Sequence, residues 1–199
     1  MTPDQISTLE HYRDMLEVRM KDKPRRYAHS LGVAKTSVAL ARTYGVDEFE
    51  AAVAGLLHDW DKVLDDAELL ARAARFGVSV VGPASLAVGL LHGPVAAHDL
   101  PHVFHGISAS ALRAIDRHTI GALDMGPLDM VVFVADAIEP GRHGDYARAL
   151  RDMVGDASLD ELFFQCFSQG LAYVISSGRY LYPTAVQVYN HYAVSRLSK

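Results

Sequence analysis

Gly55-Leu56-Leu57-His58-Asp59-Trp60-Asp61-Lys62 sets an imidazole beside a carboxylate within a stretch, residues 48–64, whose pattern reads as helix. With about 100° of turn per residue, Val53, Leu56, Leu57, Trp60 and Leu64 gather on one side, and His58, Asp59 and Lys62 lie roughly opposite. The neighbours of that polar side are Ala51, Ala52 and Gly55 rather than the Glu, Lys and Gln of a solvated face. Small side chains admit a second helix at close range, so both faces are expected to be buried. A buried His and Asp without partners are costly. One cation satisfies both, provided other elements supply its remaining ligands. The stretch therefore points to a helical protein folded around a metal, and to chemistry that depends on that metal.

Outward from this segment, helix signals follow one another with little between them. Thr2, Pro3 and Gln5 form a capped start. Ile6, Leu9, Leu16 and Met20 give that helix its apolar side, and Lys23-Pro24 breaks it. The next helix carries Tyr27, Leu31, Val38, Leu40 and Ala41 and stops at Gly45. Asp47 with Glu50 caps the segment 48–64, and Asp65 with Glu68 opens a helix stopping at Gly77. Gly93-Pro94 starts a short helix that must end at Leu100-Pro101. Ser108 begins one that ends near His118, and Gly126-Pro127 introduces the apolar run LDMVVFVADAI. Ser158 with Glu161 begins a long helix ending at Gly178, and Pro183-Thr184 begins the last. Strand patterns are scarce, and the best candidate is VSVVG, starting at Val78. With no repeat, low-complexity tract or linker, residues 1–199 are expected to form one all-α domain.

At 199 residues the chain is long enough for a proper core. A net charge of −5 argues against an extended footprint on a nucleic-acid polymer. It leaves room for a small anionic substrate served by a few local cations. The single cysteine, Cys166, lies in an apolar helical run and reads as core filler. It cannot form an internal disulfide, which fits a reducing, cytoplasmic setting. Without a signal peptide or an apolar run of about 18 residues, neither secretion nor membrane spanning is expected.

Four further residues stand where they could converge on the His58–Asp59 pair. His29 lies on a helix among Ala28, Leu31 and Val33, and His92 stands at a helix boundary where a side chain can face a cleft. His118 closes a helix whose inner residues are Leu112 and Ile115. Asp136 interrupts an otherwise apolar run, where an unpaired carboxylate needs a cation or donors. A second pair, His98-Asp99, precedes Leu100-Pro101 with no basic residue in register and reads as a solvated helix end. His11, His102, His105, His143 and His191 read as surface or packing residues.

The order of these residues (His, His-Asp, His, His, Asp) resembles the HD superfamily of metal-dependent phosphohydrolases. The blocks at 26–33 (Arg26-Tyr27-Ala28-His29 onward), 55–62, 90–96 (Leu90-Leu91-His92-Gly93-Pro94), 117–121 (Arg117-His118-Thr119), 133–142 and 180–184 (Tyr180-Leu181-Tyr182-Pro183-Thr184) are together similar to its YqeK-type branch. Those are symmetrical diadenosine tetraphosphate hydrolases. The similarity spans about residues 22–190. Trp60-Asp61, Arg117, Ala122 and Tyr182 depart from the branch's usual pattern, and none of them is a proposed ligand.

The resemblance implies a helical HD-domain bundle around a metal site. His29, His58, Asp59 and Asp136 would be its core ligands. His92 and His118 would complete a second metal position or hold phosphate oxygens. Iron is the first metal implied, and imidazole with carboxylate also suits manganese, cobalt or zinc. One ion or two is left open; with two, Asp59 is the natural bridge. Asp59, Lys62, His92 and His118 would serve catalysis. Arg26, Lys62, Thr119, Arg142, Tyr182, Pro183 and Thr184 would contact the nucleotide. Metal-activated water attacking phosphorus in the middle of the polyphosphate would yield two ADP. Two other readings stay open. One is an HD phosphatase acting on a different nucleotide, such as a nucleoside monophosphate or an alarmone. The other is a non-enzymatic nucleotide- or metal-binding module. The expected partner is a dinucleoside polyphosphate or other small nucleotide, with no membrane involved, and a homodimer is compatible with the chain.

Overall fold

Capping decides where most helices begin in the computed structural model, which describes residues 1–197. Thr2 accepts from the Gln5 amide while the Gln5 side chain returns to the Thr2 amide, opening α1 (Pro3–Arg19). α2 (Pro24–Tyr44) starts on its proline and stops at Gly45, which is left-handed at φ 71°. Asp47, Asp65, Ser108 and Ser158 each accept from the amide three residues on. They open α3 (Glu48–Leu57), α4 (Asp66–Phe76), α7 (Ala109–Arg117) and α10 (Leu159–Ser176). The remaining helices are α5 (Ala84–Ala87), α6 (His92–Val103), α8 (Pro127–Ile138), α9 (Asp145–Asp152) and α11 (Pro183–Leu197), with a 3₁₀ turn at Val88–Leu90. Among the described residues there is no strand, only an isolated bridge pairing Val154 with Ala157. No described helix is long and apolar enough to cross a membrane.

Five features differ from the sequence expectation. The segment 48–64 is not one helix. α3 ends at Leu57, because the Gly55 carbonyl that a continuing helix would offer to the Asp59 amide instead accepts from His58 Nδ1 at 2.8 Å. Tight turns follow, with the Trp60, Lys62 and Leu64 amides donating three residues back. Lys62 therefore reaches the site from a turn and not from the face of a helix. VSVVG forms no strand. Val78 and Val80 instead pack on a small second core of Leu69, Ala73, Val88, Leu91 and Val95.

α6 continues through Pro101 to Val103. His98 is exposed as expected, but the pair is not at a helix end: α4 lies alongside, Arg72 pairs with Asp99 and Phe76 stacks on His98. Finally, Tyr12 and Leu16 of α1, with Met20 just after it, face the core while Ile6 stays exposed.

The main core is built on α8, whose Leu128, Met130, Val131, Val132, Val134, Ala135 and Ile138 are all buried. α2, α3, α7, α9 and α10 surround it. The small residues of α3 let α2 approach closely. A Cβ at Gly55 would fall 3.0 Å from Ala34 Cα and 3.1 Å from the Val33 carbonyl. This packing buries every residue from Ala51 to Trp60. It also carries the end of α3 to the side of α2 that bears His29.

Candidate metal centre

Five elements deliver the cluster. α2 supplies Arg26 and His29; the end of α3 and its following turns supply His58, Asp59 and Lys62. The first residue of α6 is His92, the residue closing α7 is His118, and α8 contributes Asp136. The six expected His and Asp side chains come together. Three overlapping groups each have their donor atoms within 4.8 Å of one another: His29 with His58 and Asp59, His58 with His118 and Asp136, and Asp59 with His92 and His118.

Asp59 lies between two halves. Its Oδ2 faces His58 Nε2 at 3.5 Å and His29 Nε2 at 3.9 Å. Its Oδ1 faces His92 Nε2 at 3.1 Å and His118 Nε2 at 3.9 Å. Asp136 Oδ1 is 3.0 Å from His29 Nε2.

The rings are aimed by their other nitrogens. His58 Nδ1 donates to the Gly55 carbonyl (2.8 Å), His92 Nδ1 to Gly89 (3.0 Å) and His118 Nδ1 to Ile115 (2.7 Å). In each case the acceptor is three residues back. A carbonyl only accepts, so Nδ1 carries the proton and the neutral ring presents a lone pair at Nε2. That lone pair has no hydrogen-bond partner at His58 Nε2, which is buried. The Nε2 atoms of His92 and His118 face each other at 3.0 Å. A buried, unpartnered acceptor and two converging lone pairs beside two carboxylates are what a cation binds. The residues therefore fit a metal.

Protonation states point the same way. Burial alone would raise Asp59, yet the neighbouring His58, His92 and His118 hold its carboxyl well below the usual range. Asp136 is also lowered, the cost of burial being outweighed by the His29 hydrogen bond, the neighbouring His58 ring and the Arg142 charge. Burial, with His92 and His58 nearby, depresses His118 to about 3 and lowers His92 as well. The interior thus offers anionic carboxylates, with His92 and His118 neutral near pH 7. Burial lowers Lys62 too, and its Nζ donates to the Gly89 carbonyl at 3.1 Å and also lies 3.1 Å from His92 Nδ1.

Guanidinium groups close the outer side. Arg26 Nη1 meets Asp59 Oδ2 at 2.7 Å, and Arg142 meets Asp136 Oδ1 at 2.6 Å and the Asp136 carbonyl at 2.9 Å. The cluster opens into a pocket of about 380 Å³ that Thr119, Phe133, Tyr146 and Cys166 also line. Leu90, Thr119, Phe133 and Gly170 are shared with an apolar recess of about 200 Å³, where Phe167, Tyr180 and Tyr182 form further walls. On the other side Arg26 and Arg142 are shared with an open groove of about 590 Å³ that also has Arg25 and Pro140 along it.

The sequence-expected nucleotide contacts divide. Arg26, Lys62, Thr119 and Arg142 line the pocket. Tyr182 stands in the wall of the recess with its hydroxyl accepting from the Val81 amide. Pro183 and Thr184 line neither cavity and begin α11.

Sequence reasoning missed Glu139, against His29, and Arg151 on α9, which donates to the Ile138, Glu139 and Arg142 carbonyls and pins the turn after α8. It also missed the pairing of Arg117 with buried Asp129, which ties the end of α7 to the start of α8.

The HD domain family model matches residues 26–141. The chain is 32% identical over 190 residues to the symmetrical bis(5'-nucleosyl)-tetraphosphatase of Staphylococcus aureus, covering 94% of this chain and 95% of that one. It is 28% identical over 165 residues to the protein of the same name from Halalkalibacterium halodurans, covering 83% and 87%. A solved structure from Clostridium acetobutylicum, described as a predicted HD superfamily hydrolase involved in NAD metabolism, is similar at a TM-score of 0.84. It shares 30% identity and is covered over 97% of its length by 94% of this chain.

Proposed function

Because the chain belongs to the HD domain family, we propose that it is a metal-dependent hydrolase cutting diadenosine tetraphosphate symmetrically into two ADP. The observation that carries this reading is the order of its cavities. An apolar, aromatic recess shares a wall with the pocket at the His–Asp cluster, and that pocket shares Arg26 and Arg142 with an arginine-lined groove. A nucleoside suits the first, a central phosphoric anhydride the second, and an outgoing chain of phosphates the third.

His29, His58, Asp59 and Asp136 would hold one ion. His92 and His118, with the second oxygen of Asp59, would hold another or grip phosphate oxygens. Iron is the first candidate, and the nitrogen and oxygen donors suit manganese, cobalt or zinc as well. Such a metal, when bound, supplies charge compensation at phosphoryl oxygens and acidifies water.

The protein's own groups do the rest. Phe133 and the recess around it fix one nucleoside, which sets which phosphorus stands at the cluster. Lys62, Arg26 and Arg142 bind the tetraphosphate, and the two arginines exchange their carboxylate partners for phosphate oxygens. Water adds to one of the two central phosphorus atoms. The bridging oxygen leaves with the other, so each product carries two phosphates.

Purified protein reconstituted with ferrous iron or manganese, without air, tests this. Chromatography of the products from diadenosine tetraphosphate should show ADP alone. AMP with ATP would contradict symmetrical cleavage. Release of nucleoside with phosphate from a monophosphate, with no attack on the tetraphosphate, would favour the phosphatase reading. Nucleotide binding without turnover would favour a non-enzymatic module.

A further inference from the structure

One of the four imidazoles is aimed by a carboxylate and not by the backbone. Glu139 closes α8 and is 5% exposed. Its Oε1 lies 3.1 Å from His29 Nδ1, and its Oε2 accepts from the Gly141 amide at 2.6 Å. Two glycines from opposite sides make room for it. A Cβ on Gly32, one helical turn beyond His29, would stand 2.5 Å from Oε2, and one on Gly141 would stand 2.7 Å from Oε1. Arg151 fixes the same turn by donating to three of its carbonyls. The carboxylate is thus confined, and both its oxygens have assigned tasks.

Resting on the metal reading above, we propose that Glu139 is a positioning residue. It keeps the His29 proton on Nδ1 and makes this ring the strongest nitrogen donor of the cluster. A carboxylate has no proton to give, so His29 donates from Nδ1 to Glu139 and, in the metal-free protein, from Nε2 to Asp136 Oδ1 (3.0 Å), with Asp59 Oδ2 at 3.9 Å. A cation taken up by these carboxylates would displace the Nε2 proton, and Glu139 would keep the one on Nδ1. A carboxylate acceptor also raises the basicity of an imidazole ligand more than a neutral carbonyl does. His58 and His118 have only carbonyls, and His92 Nδ1 has a carbonyl and the Lys62 ammonium. His29 occupies the outer side, where water and phosphate compete for the ion, and there a stronger donor has most to do.

The chemistry of an amide gives a sharp test. Glutamine at position 139 has one accepting oxygen for two donors. If that oxygen keeps the Gly141 amide, the NH₂ group faces His29 Nδ1 and drives its proton to Nε2, into the cluster. If it turns to His29, two N–H groups meet at Gly141. Gly32→Ala reaches the same carboxylate from behind without touching any proposed ligand, and alanine suits the interior of α2 better than glycine.

The experiment compares wild type, Glu139→Gln and Gly32→Ala. Manganese and zinc affinities are measured by competition with a chelator, and ¹⁵N-histidine NMR is recorded on the zinc-loaded proteins. Glu139→Gln should bind metal about 10- to 100-fold more weakly and lose the His29 Nδ1–H signal, with helicity and metal-free melting retained. Gly32→Ala should weaken binding in the same direction. Equal affinity in all three proteins, with the His29 signal unchanged, overturns this proposal alone. A wild-type protein that takes up neither metal overturns the metal reading and this inference with it.

Discussion

His58, His92 and His118 form the deep half of the cluster, each at most 4% exposed and each turned by a carbonyl of its own chain three residues back. His29, Asp136, Arg26 and Arg142 form the rim, with side chains 11 to 44% exposed and held largely by one another's charges and by Glu139. The deep half has its donors set before any ligand arrives, since carbonyls three residues away move only if the local backbone moves. The rim is built from ion pairs, which can be traded. Arg26 and Arg142 can release carboxylates when a metal takes them over and turn to phosphate, at a cost much smaller than breaking a fully buried pair. Preorganisation and exchange are thus assigned to different parts of one site.

Asp59 is the residue that joins the halves, one oxygen to each. Asp59→Asn keeps its shape and removes its charge, and should have the largest effect. Hydrolysis of diadenosine tetraphosphate and metal uptake should both be lost, beyond the about 10- to 100-fold typical of groups behind a ligand. Metal analysis with product chromatography checks this. A variant that retained a full complement of metal would show that the halves work independently.

Rigidity of the deep half comes next. His92 and His118 meet because α6 and α7 touch at Gly93, where a Cβ would fall 2.7 Å from the Ile115 carbonyl and 3.0 Å from the His118 ring. That same carbonyl aims His118. Gly93→Ala should therefore cost about 1–3 kcal/mol, as overpacking does, and lower metal content in parallel. Thermal denaturation reads the first effect. An unchanged melting temperature would mean that the helices part freely and that the deep half is no firmer than the rim.

What could be read from sequence follows the range of the interaction involved. Helix starts at Thr2, Asp47, Asp65, Ser108 and Ser158 were readable because a cap is settled within three residues. The run around Asp136 announced itself because a carboxylate in an apolar helix must have partners. The end of α3 was misjudged because a side chain, His58, took the carbonyl that propagates the helix. The passage of α6 through Pro101 was misjudged because α4 supports it from a distant part of the chain. α9 and its Arg151 were missed because their role depends on three carbonyls of another element. Glu139 did carry a signal, a carboxylate directly after an apolar helix and followed by Pro140-Gly141. That signal has meaning only once Gly32 is known to stand opposite.

The smallest expected effect is also the most direct comparison of the halves, because they answer pH with opposite sign in the metal-free protein. Burial and its His92 and His58 neighbours depress His118 to about 3 in the folded state. The unfolded chain therefore takes up a proton near the ordinary histidine value of about 6.5 that the folded one refuses. Stability from this group is present above that pH and falls as pH drops toward about 3.

His29 is shifted the other way. Burial works against its charged form, but Asp136 and Glu139 more than compensate and raise it. Its contribution is complete below about 6.5 and is lost as pH rises through the higher folded value. Melting temperatures of the metal-free protein across pH should accordingly lose part of their acid arm in His118→Asn and part of their alkaline arm in His29→Asn. Asp61, buried and raised to about 6, adds a slope of its own in the acid range, so the comparison is made between each variant and wild type at every pH. If both substitutions flattened the same arm, the division between a backbone-held interior and a charge-held rim would fail, because both rings would then be answering to one electrostatic environment.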